Sequence, residues 1–366
     1  MKLTINKEKF EKHLNNINKA LDSNPHLIIL KGLVIIANES NIKLIASNGN
    51  LAVKEVIKTS IDFKVEKPGK ILIPGKIFIQ LIKKQEKVVS LFVDDNSLKI
   101  QSKGFETSIN LLNFEDFPTI NFDLIGKELL IDAEIIKSVI KDVAFAADEK
   151  SDKPALNGVN FKIKNNIMLV RATNSFRLSQ KTIKIEQDID FEINVLRKNL
   201  KDFLPNDVKG KIAINLSDKK ILTSYQNTHI LSTLIDDIFP QVEKKIPNEF
   251  ESSLTINVNH LLSLIDKASI INNENQNTLI FKIVPNQLTI ESNKSEIGNI
   301  VVTTNEIIWT GGEFKITFNA NFLKDAITTF EHDISINFIG SEKPFVIKGQ
   351  SNPDLLQLIL PHRNQY

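Results

Sequence analysis

One short stretch of sequence occurs near the start of the chain and again about two thirds of the way along it. Leu3-Thr4-Ile5-Asn6 recurs as Leu254-Thr255-Ile256-Asn257, and a relative, Leu129-Leu130-Ile131-Asp132, lies between them. After each copy, apolar residues recur at helical spacing with lysines on the polar side, which predicts a strand leading into an amphipathic helix. The apolar faces are Phe10, Leu14, Ile17 and Leu21; Ile136, Val139, Ile140 and Val143; and Leu261, Leu264, Ile265 and Ala268. A repeat of ~125 residues has the length of a domain.

Each third also holds a second strand and helix, and stretches in which apolar and polar residues alternate. The second helices are predicted over Phe78 to Lys84, Arg197 to Leu204 and Phe322 to Phe330. Alternation over Ile42 to Ile57, Ile167 to Ile185 and Leu288 to Val302 predicts hairpins. The sequence therefore predicts an α+β fold of three tandem domains, residues 1–125, 126–248 and 249–366, each with two helices backed by antiparallel sheets. One large α+β fold with chance internal similarity is the alternative.

Composition limits the classes of function. The formal net charge is +2, so no overall field draws the chain to nucleic acid or to an anionic membrane, and any basic surface must be local. The absence of cysteine excludes disulfides, thiolate nucleophiles and cysteine-bound zinc. The first residues lack the apolar core of a signal peptide, and no apolar run approaches ~18 residues. A cytoplasmic protein is therefore expected.

A catalytic centre is not predicted. The segment Gly69 to Lys76 is similar to a phosphate-binding loop, but its glycine spacing is one residue too long, and Ile77 stands where Ser or Thr should hold magnesium. The histidines show no metal-ligand spacing. Asp94-Asp95 and Asp236-Asp237 lie beside turn signals, where solvated carboxylates are common. No catalytic residue, metal or cofactor is expected.

All six predicted helices carry lysine or arginine. A solvated polar face explains such residues one at a time, whereas their recurrence predicts a shared use. If the helices line the inside of a ring, twelve of them packed ~10 Å apart enclose a hole of ~28 Å, wide enough for duplex DNA. Six helices per chain then require a head-to-tail dimer.

Six stretches make the chain similar, along its whole length, to the bacterial DNA polymerase III beta subunit family, the sliding clamps. They are LIILKGLVI (27–35), EDFPTI (115–120), KPALNGVNFKI (153–163), RATNSFRLS (171–179), IFPQVEKKIP (238–247) and LILPHR (358–363). The resemblance implies a ring-shaped homodimer that encircles duplex DNA without reading its sequence. It implies a non-catalytic processivity factor that tethers the replicative polymerase, the clamp loader and repair proteins through short peptide motifs. A repeat-built interaction scaffold that does not encircle DNA is the alternative.

The resemblance also implies a pocket for partner peptides. The family's Thr-Asp-Gly-His-Arg-Leu reads Thr173-Asn174-Ser175-Phe176-Arg177-Leu178 here, and its terminal Pro-Met-Arg reads Pro361-His362-Arg363. The expected pocket residues are Leu156, Thr173, Ser175, Phe176, Arg177, Leu178, Pro240, Lys244, Leu358, Leu360, Pro361, His362 and Arg363. Arg177 is expected to meet a polar or acidic group of the peptide. Without the resemblance, Leu178, Leu358 and Leu360 read as ordinary core.

This sequence departs from the family pattern at the pocket. Ser175 and Phe176 replace glycine and histidine, which predicts a shallower groove that favours apolar anchors. The chain also continues through Asn364-Gln365-Tyr366, beyond the point where family members usually stop. Partner motifs are therefore expected to differ in detail.

Two further surfaces are expected from the family positions. The DNA-facing residues are Lys12, Lys76, Lys137, Lys141, Lys150, Lys153, Arg197, Lys198 and Lys201. The dimer interface pairs Ile270 and Ile271 of one chain with Phe105, Thr107 and Ile109 of the other. The last three residues alternate on an apparent edge strand, which favours pairing with another chain.

Overall fold

The structure is a computed structural model, and it describes residues 1–123, 126–205, 207–272, 277–294 and 297–362. The first third of the chain begins with a strand that runs directly into a helix, as the repeat predicts. Its elements are β1 (Lys2–Asn6), α1 (Lys7–Ile17), β2 (Gly32–Ala37), β3 (Asn41–Ser47), β4 (Leu51–Lys58), β5 (Phe63–Lys67), β6 (Gly69–Pro74), α2 (Gly75–Lys83), β7 (Val88–Asp94), β8 (Ser97–Ser102) and β9 (Phe105–Asn110).

The last third follows the same order of elements, and the middle third differs in having four described strands, not five, between its two helices. The middle third contains β10 (Lys127–Asp132), α3 (Ala133–Val143), β11 (Gly158–Lys164), β12 (Ile167–Thr173), β13 (Arg177–Lys184), β14 (Phe191–Leu196), α4 (Arg197–Leu200), β15 (Lys211–Leu216), β16 (Lys220–Tyr225) and β17 (Thr228–Thr233). The last third contains β18 (Ser252–Asn257), α5 (Val258–Ala268), β19 (Thr278–Val284), β20 (Gln287–Lys294), β21 (Gly298–Thr304), β22 (Ile308–Thr310), β23 (Phe314–Asn319), α6 (Ala320–Ile327), β24 (Asp333–Phe338), β25 (Phe345–Gly349) and β26 (Leu355–Ile359). The three predicted hairpins are confirmed as the pairs β3–β4, β12–β13 and β20–β21.

The repeated stretch is a strand that ends in a helix cap. The Asn6 side chain accepts a hydrogen bond from the Lys9 amide, and Asn257 accepts from two amides at the start of α5. Asp132 Oδ1 accepts from the Glu134 amide at 2.8 Å. Such side chains satisfy amides that have no partner inside the first helical turn. The fourth residue of each repeated stretch, Asn6, Asp132 or Asn257, therefore caps the helix that follows and marks where it begins.

The helix predicted over Arg197 to Leu204 is wrong in its length, because α4 ends at Leu200. The Asp202 amide bonds to the carbonyl three residues earlier, and the Phe203 amide does the same. These are 3₁₀-type turns. Pro205 follows at once, and a proline disfavours helical conformation at the residue before it.

The chain forms two compact units, residues 1–135 with 198–234 and residues 136–197 with 235–366. The first unit holds a five-stranded sheet in the order β5-β1-β7-β8-β9 and an eight-stranded sheet in the order β10-β15-β16-β17-β4-β3-β2-β6. Helices α1 and α2 pack through Phe10 and Phe78, whose ring centroids lie 6.4 Å apart. The predicted apolar face of α1 is confirmed, since Phe10, Leu14 and Ile17 are all fully buried.

The second unit holds a nine-stranded sheet in the order β14-β11-β12-β13-β26-β25-β24-β18-β22 and a four-stranded sheet in the order β21-β20-β19-β23. The predicted face of α5 is buried at Leu261, Leu264, Ile265 and Ala268. The strand pairings among the described residues are antiparallel, as predicted. Strands of the middle third thus enter two sheets: β10 and β15–β17 join strands of the first third, and β11–β14 join strands of the last.

Candidate functional site

In the second unit, a small depression lies above the seam between β13 and β26. The two strands pair with Leu178 opposite Leu358. Both leucines are buried and pack with Phe239, Val242 and Val346. The atom-free space between its walls, counted together with open solvent at its mouth, is about 460 Å³. Its lining residues are Thr173, Ser175, Arg177, Leu178, Pro240, Gln241, Val242, Lys245, Leu358 and Leu360.

Seven of the predicted pocket residues line this one depression: Thr173, Ser175, Arg177, Leu178, Pro240, Leu358 and Leu360. Sequence reasoning missed Gln241, Val242 and Lys245. A signal for Val242 was present, because Phe239, Val242 and Ile246 are spaced by three and four residues, as on one face of a helical turn. This turn carries one wall of the depression.

Five other predicted residues do not line it: Leu156, Phe176, Lys244, Pro361 and His362. Leu156 is buried within a 3₁₀ turn, whereas the Phe176 side chain is 60% exposed. Lys244 and Lys245 are neighbours on the 3₁₀ turn Glu243–Lys245, where successive side chains point ~120° apart, and only Lys245 faces the depression. Arg363 and the segment 364–366 lie outside the described residues.

The loop between β12 and β13 is held by its own side chains. Thr173 Oγ1 accepts from the Ser175 amide at 3.1 Å and donates to the Arg177 carbonyl at 2.6 Å. Asn174 Oδ1 accepts from the amides of Phe176 and Arg177, both at 3.0 Å. Ser175 has φ +76°, in the left-handed region that favours glycine. The predicted loss of glycine's freedom is therefore a real strain at the pocket rim.

Arg177 lines the depression, and both of its terminal nitrogens donate within the chain, whereas its Nε is buried without a hydrogen-bond partner among the described residues. Nη1 donates to Asp325 Oδ2 and Nη2 to the Phe145 carbonyl, both at 2.6 Å. The guanidinium lies over the rings of Phe145 and Phe322, with centroids 5.1 and 4.7 Å away. Burial lowers the pKa of Arg177, and Asp325 offsets part of that effect. The side chain is 11% exposed, so Arg177 chiefly fixes this loop to α6.

The predicted DNA-facing residues are distributed over both units. In the first unit, Lys12, Lys198 and Lys201 are exposed on or beside α1 and α4, whereas Lys76 on α2 is half-buried and donates to Ser23 Oγ at 2.7 Å. In the second, Lys141, Lys150 and Lys153 are exposed, and Lys137 is half-buried on α3. Arg197 differs from these, because it is 18% exposed, donates to the Ala147 carbonyl at 2.7 Å and pairs with Glu149 at 3.4 Å. Arg197 therefore has an internal structural role.

Each unit has a sheet that ends in an edge strand with exposed apolar side chains. β9 ends the five-stranded sheet, as predicted, and Phe105 on it is 41% exposed. β21 ends the four-stranded sheet, and Val301 on it is 53% exposed. Ile270, just after α5, is 74% exposed, and Ile271 is half-buried. Unpaired edges with apolar residues are typical sites of strand addition.

Within the described ranges, no three or more His, Cys, Asp or Glu side chains are grouped so that they could hold a metal ion. No helix in the part of the chain that the structure describes is long and apolar enough to span a membrane.

Comparison with known proteins decides the family. The N-terminal, central and C-terminal domains of the DNA polymerase III beta subunit match residues 1–121, 130–241 and 243–363, respectively. The chain belongs to the DNA polymerase III beta subunit family. The resemblance seen in the sequence is thus confirmed, together with the α+β fold of three clamp-type domains.

Relatives of this beta subunit family cover the chain almost completely. The beta sliding clamp of Mycoplasmopsis pulmonis is 31% identical over 367 residues, which is 98% of each chain. That of Bacillus subtilis is 26% identical over 378 residues, 99% of this chain and 100% of its own. The crystal structure of the DNA polymerase sliding clamp from Bacillus subtilis superposes with a TM-score of 0.93 at 25% identity, covering 100% of this chain and 99% of that one. The DNA polymerase III beta chain from Streptococcus pneumoniae superposes with a TM-score of 0.95 at 25% identity, covering 99% and 100%.

Proposed function

We propose that this chain is a DNA sliding clamp, two copies of which close head to tail into a ring around duplex DNA. The observation that carries the proposal is the ordered match of all three beta subunit domains along the chain. The same match supports domain limits near residues 125 and 248, a cytoplasmic site of action beside the chromosome, and a non-catalytic role as a processivity subunit. Such a ring needs no strong attraction for DNA, which agrees with the net charge of +2.

Dimer closure would use the two exposed apolar edges. Phe105, Thr107 and Ile109 on β9 of one copy would meet Ile270 and Ile271 of the other. Phe105 and Ile270 are exposed, and the other three are only half-buried within the chain. Ile270→Asp combined with Ile271→Asp should yield monomers in sedimentation at low micromolar concentration. Ile238→Asp is the matched control, because Ile238 is 89% exposed but lies on neither edge.

DNA contact would be diffuse and directed to phosphates. Exposed lysines on helices, such as Lys12, Lys141 and Lys198, would make these phosphate contacts. Contacts to phosphate carry no sequence information. Neutralising one of them should lower the salt slope of binding by about one unit at most. The internal bonds of Arg197 make it the weakest contributor.

Partner proteins would dock a short peptide in the depression above Leu178 and Leu358. Leu178→Ala with Leu360→Ala should weaken a clamp-binding peptide by about 1–3 kcal/mol in a calorimetric titration, since apolar anchors lose their wall. Ile167→Ala, at the other end of the same hairpin, is the control and should leave the affinity unchanged. Equal affinities for all variants would place the docking site elsewhere.

The topological experiment separates a clamp from an open scaffold. The dimer is loaded with a clamp loader and ATP onto nicked circular DNA, and protein retained with the DNA is measured by gel filtration before and after the circle is cut. A ring stays on the circle and slides off the linear product. A repeat-built scaffold is lost equally from both, or held equally by both.

A further inference from the structure

The pocket contains two cationic side chains that differ in what they already bind. Arg177 has both terminal nitrogens engaged, one with the Asp325 carboxylate and one with the Phe145 carbonyl. The guanidinium also contacts the aromatic rings of Phe145 and Phe322, which restrict its orientation. Its Nε has no hydrogen-bond partner in the part of the chain that the structure describes, but that atom is buried and shielded from solvent. A peptide carboxylate that reached the guanidinium would have to displace Asp325, and so gains little from Arg177.

Lys245 is in the opposite state. It is exposed, lines the pocket, and makes no ion pair or side-chain hydrogen bond with any residue that the structure describes. The acid on its own turn, Glu243, is bonded to Arg171 instead. Lys245 therefore lines the pocket beside the apolar residues Pro240 and Val242 without a described acidic partner for its charge.

We propose that Lys245, and not Arg177, selects partner peptides that carry an acidic residue next to their apolar anchors. The inference rests on the proposed peptide pocket and adds the residue that reads charge there. The Lys245 ammonium would donate to the peptide carboxylate while the anchors fill the space above Leu178 and Leu358. A charge-assisted hydrogen bond at the edge of an apolar pocket is stronger than an exposed surface ion pair.

The chain supplies a matched control one residue away. Lys244 has the same charge, the same turn and similar exposure, but it does not line the pocket. Long-range attraction between a lysine and an acidic peptide would be nearly equal for the two residues. Direct contact would be specific to Lys245.

The test uses the full-length protein and two acetylated, amidated heptapeptides. Both carry two leucine anchors, and they differ only in one flanking residue, Asp or Asn. The measured quantity is the ratio of their dissociation constants by calorimetry. The wild-type protein should prefer the Asp peptide by roughly three- to tenfold, less at high salt. Lys245→Met should bring the ratio within twofold of one, Lys244→Met should keep it, and Lys245→Arg should restore it.

Arg177→Met supplies the complementary readout. It should weaken both peptides alike and keep their ratio, because Arg177 shapes the loop and does not read the charge. A wild-type ratio of one with clear binding overturns the inference and leaves the pocket standing. A ratio that survives Lys245→Met overturns it as well. Failure of both peptides to bind the wild-type protein overturns the proposed pocket itself.

Discussion

Two hairpin loops in this protein share three internal hydrogen bonds, and the second of them borders the depression above Leu178 and Leu358. In the loop between β3 and β4, Ser47 Oγ accepts from the amide of Gly49, and Asn48 Oδ1 accepts from the amides of Asn50 and Leu51. The loop between β12 and β13 repeats each bond one for one, with Thr173 and Asn174 in those places.

The loops differ in the residues that the shared backbone presents. The middle position is Gly49, with φ +95°, in the first loop and Ser175, with φ +76°, in the second. The residues after the loop are Leu51 and Ala52 in one and Arg177 and Leu178 in the other. The short polar side chains fix the turn. The flanking residues can therefore either pack in the core or line a depression without changing the turn.

The largest effect is expected from copying the first loop into the second with Arg177→Leu. The change removes the bonds to Asp325 and to the Phe145 carbonyl, and leaves that buried carbonyl without its donor. The free energy of unfolding from urea titration should fall by about 2–3 kcal/mol. Lys244→Leu, at an exposed site, should change it by less than about 0.5 kcal/mol. A loss as small as in that control would mean that Arg177 does not anchor the loop.

The next effect tests whether the two loops are held by equal forces. Asn48→Ala and Asn174→Ala each remove one acceptor that serves two amides, so each should lower the free energy of unfolding by about 1–2 kcal/mol. Only Asn174→Ala should also weaken peptide binding, because its loop borders the pocket. Unequal destabilisation in urea would break the comparison.

Exchanging the middle residues should have a smaller effect with opposite signs. A Cβ at Gly49 would meet only Leu30 Cδ1, at 3.8 Å, so the expected cost of Gly49→Ser, about 1 kcal/mol, is backbone strain. Ser175→Gly relieves that strain but also raises the conformational entropy of the unfolded chain. The free energy of unfolding should therefore rise by about 0.5 kcal/mol at most. Gly312→Ser, in open space and without a left-handed φ, is the control for the substitution itself. Thermal unfolding in which Gly49→Ser matched Gly312→Ser would show that the first loop is unstrained.

The smallest expected effect is a difference in acid sensitivity between the strands that leave the loops. β4 places Lys54 opposite His229, whereas β13 places Gln180 opposite Leu356. Burial first, and then repulsion from Lys54, lower the pKa of His229 from its ordinary 6.5, while Glu55 and Asp123 act in the other direction. The unfolded chain therefore binds this proton more readily, so stability is full above pH 6.5 and falls as the pH drops below it. His229→Gln should therefore make the free energy of unfolding, measured by urea titration, depend less on pH between pH 7.5 and 5.5. An unchanged pH dependence would contradict this prediction.

Local signals in the sequence predicted much of this fold. The repeated stretch predicted a strand leading into a helix, and the structure adds that Asn6 and Asn257 cap two of these helices. The α4 helix was overestimated, since apolar periodicity continued past Leu200 while the backbone turned to three-residue bonding ahead of Pro205. Local preference cannot register such a change.

Long-range partners were beyond local reasoning. Nothing near Arg177 in the sequence indicates that Asp325 binds its guanidinium, and nothing near β17 indicates that it pairs with β4. Whether Lys244 or Lys245 faces the depression depends on how one 3₁₀ turn is rotated about its axis. The spacing to the neighbouring apolar residues does not determine that rotation. Leu178, Leu358 and Leu360 were predicted as pocket residues because the stretches that resemble the family include them.

The pairing of β13 with β26 has a consequence for how the chain is made. Arg177 and Ile359 are partners in that pairing, and about 180 residues separate them. At about 5–20 residues per second, β13 is synthesised about 9–36 s before its neighbour exists. Leu178 and Leu358 form the pocket only after that wait. A nascent or prematurely terminated chain therefore lacks this depression, so under the proposed function only finished molecules could dock a partner peptide.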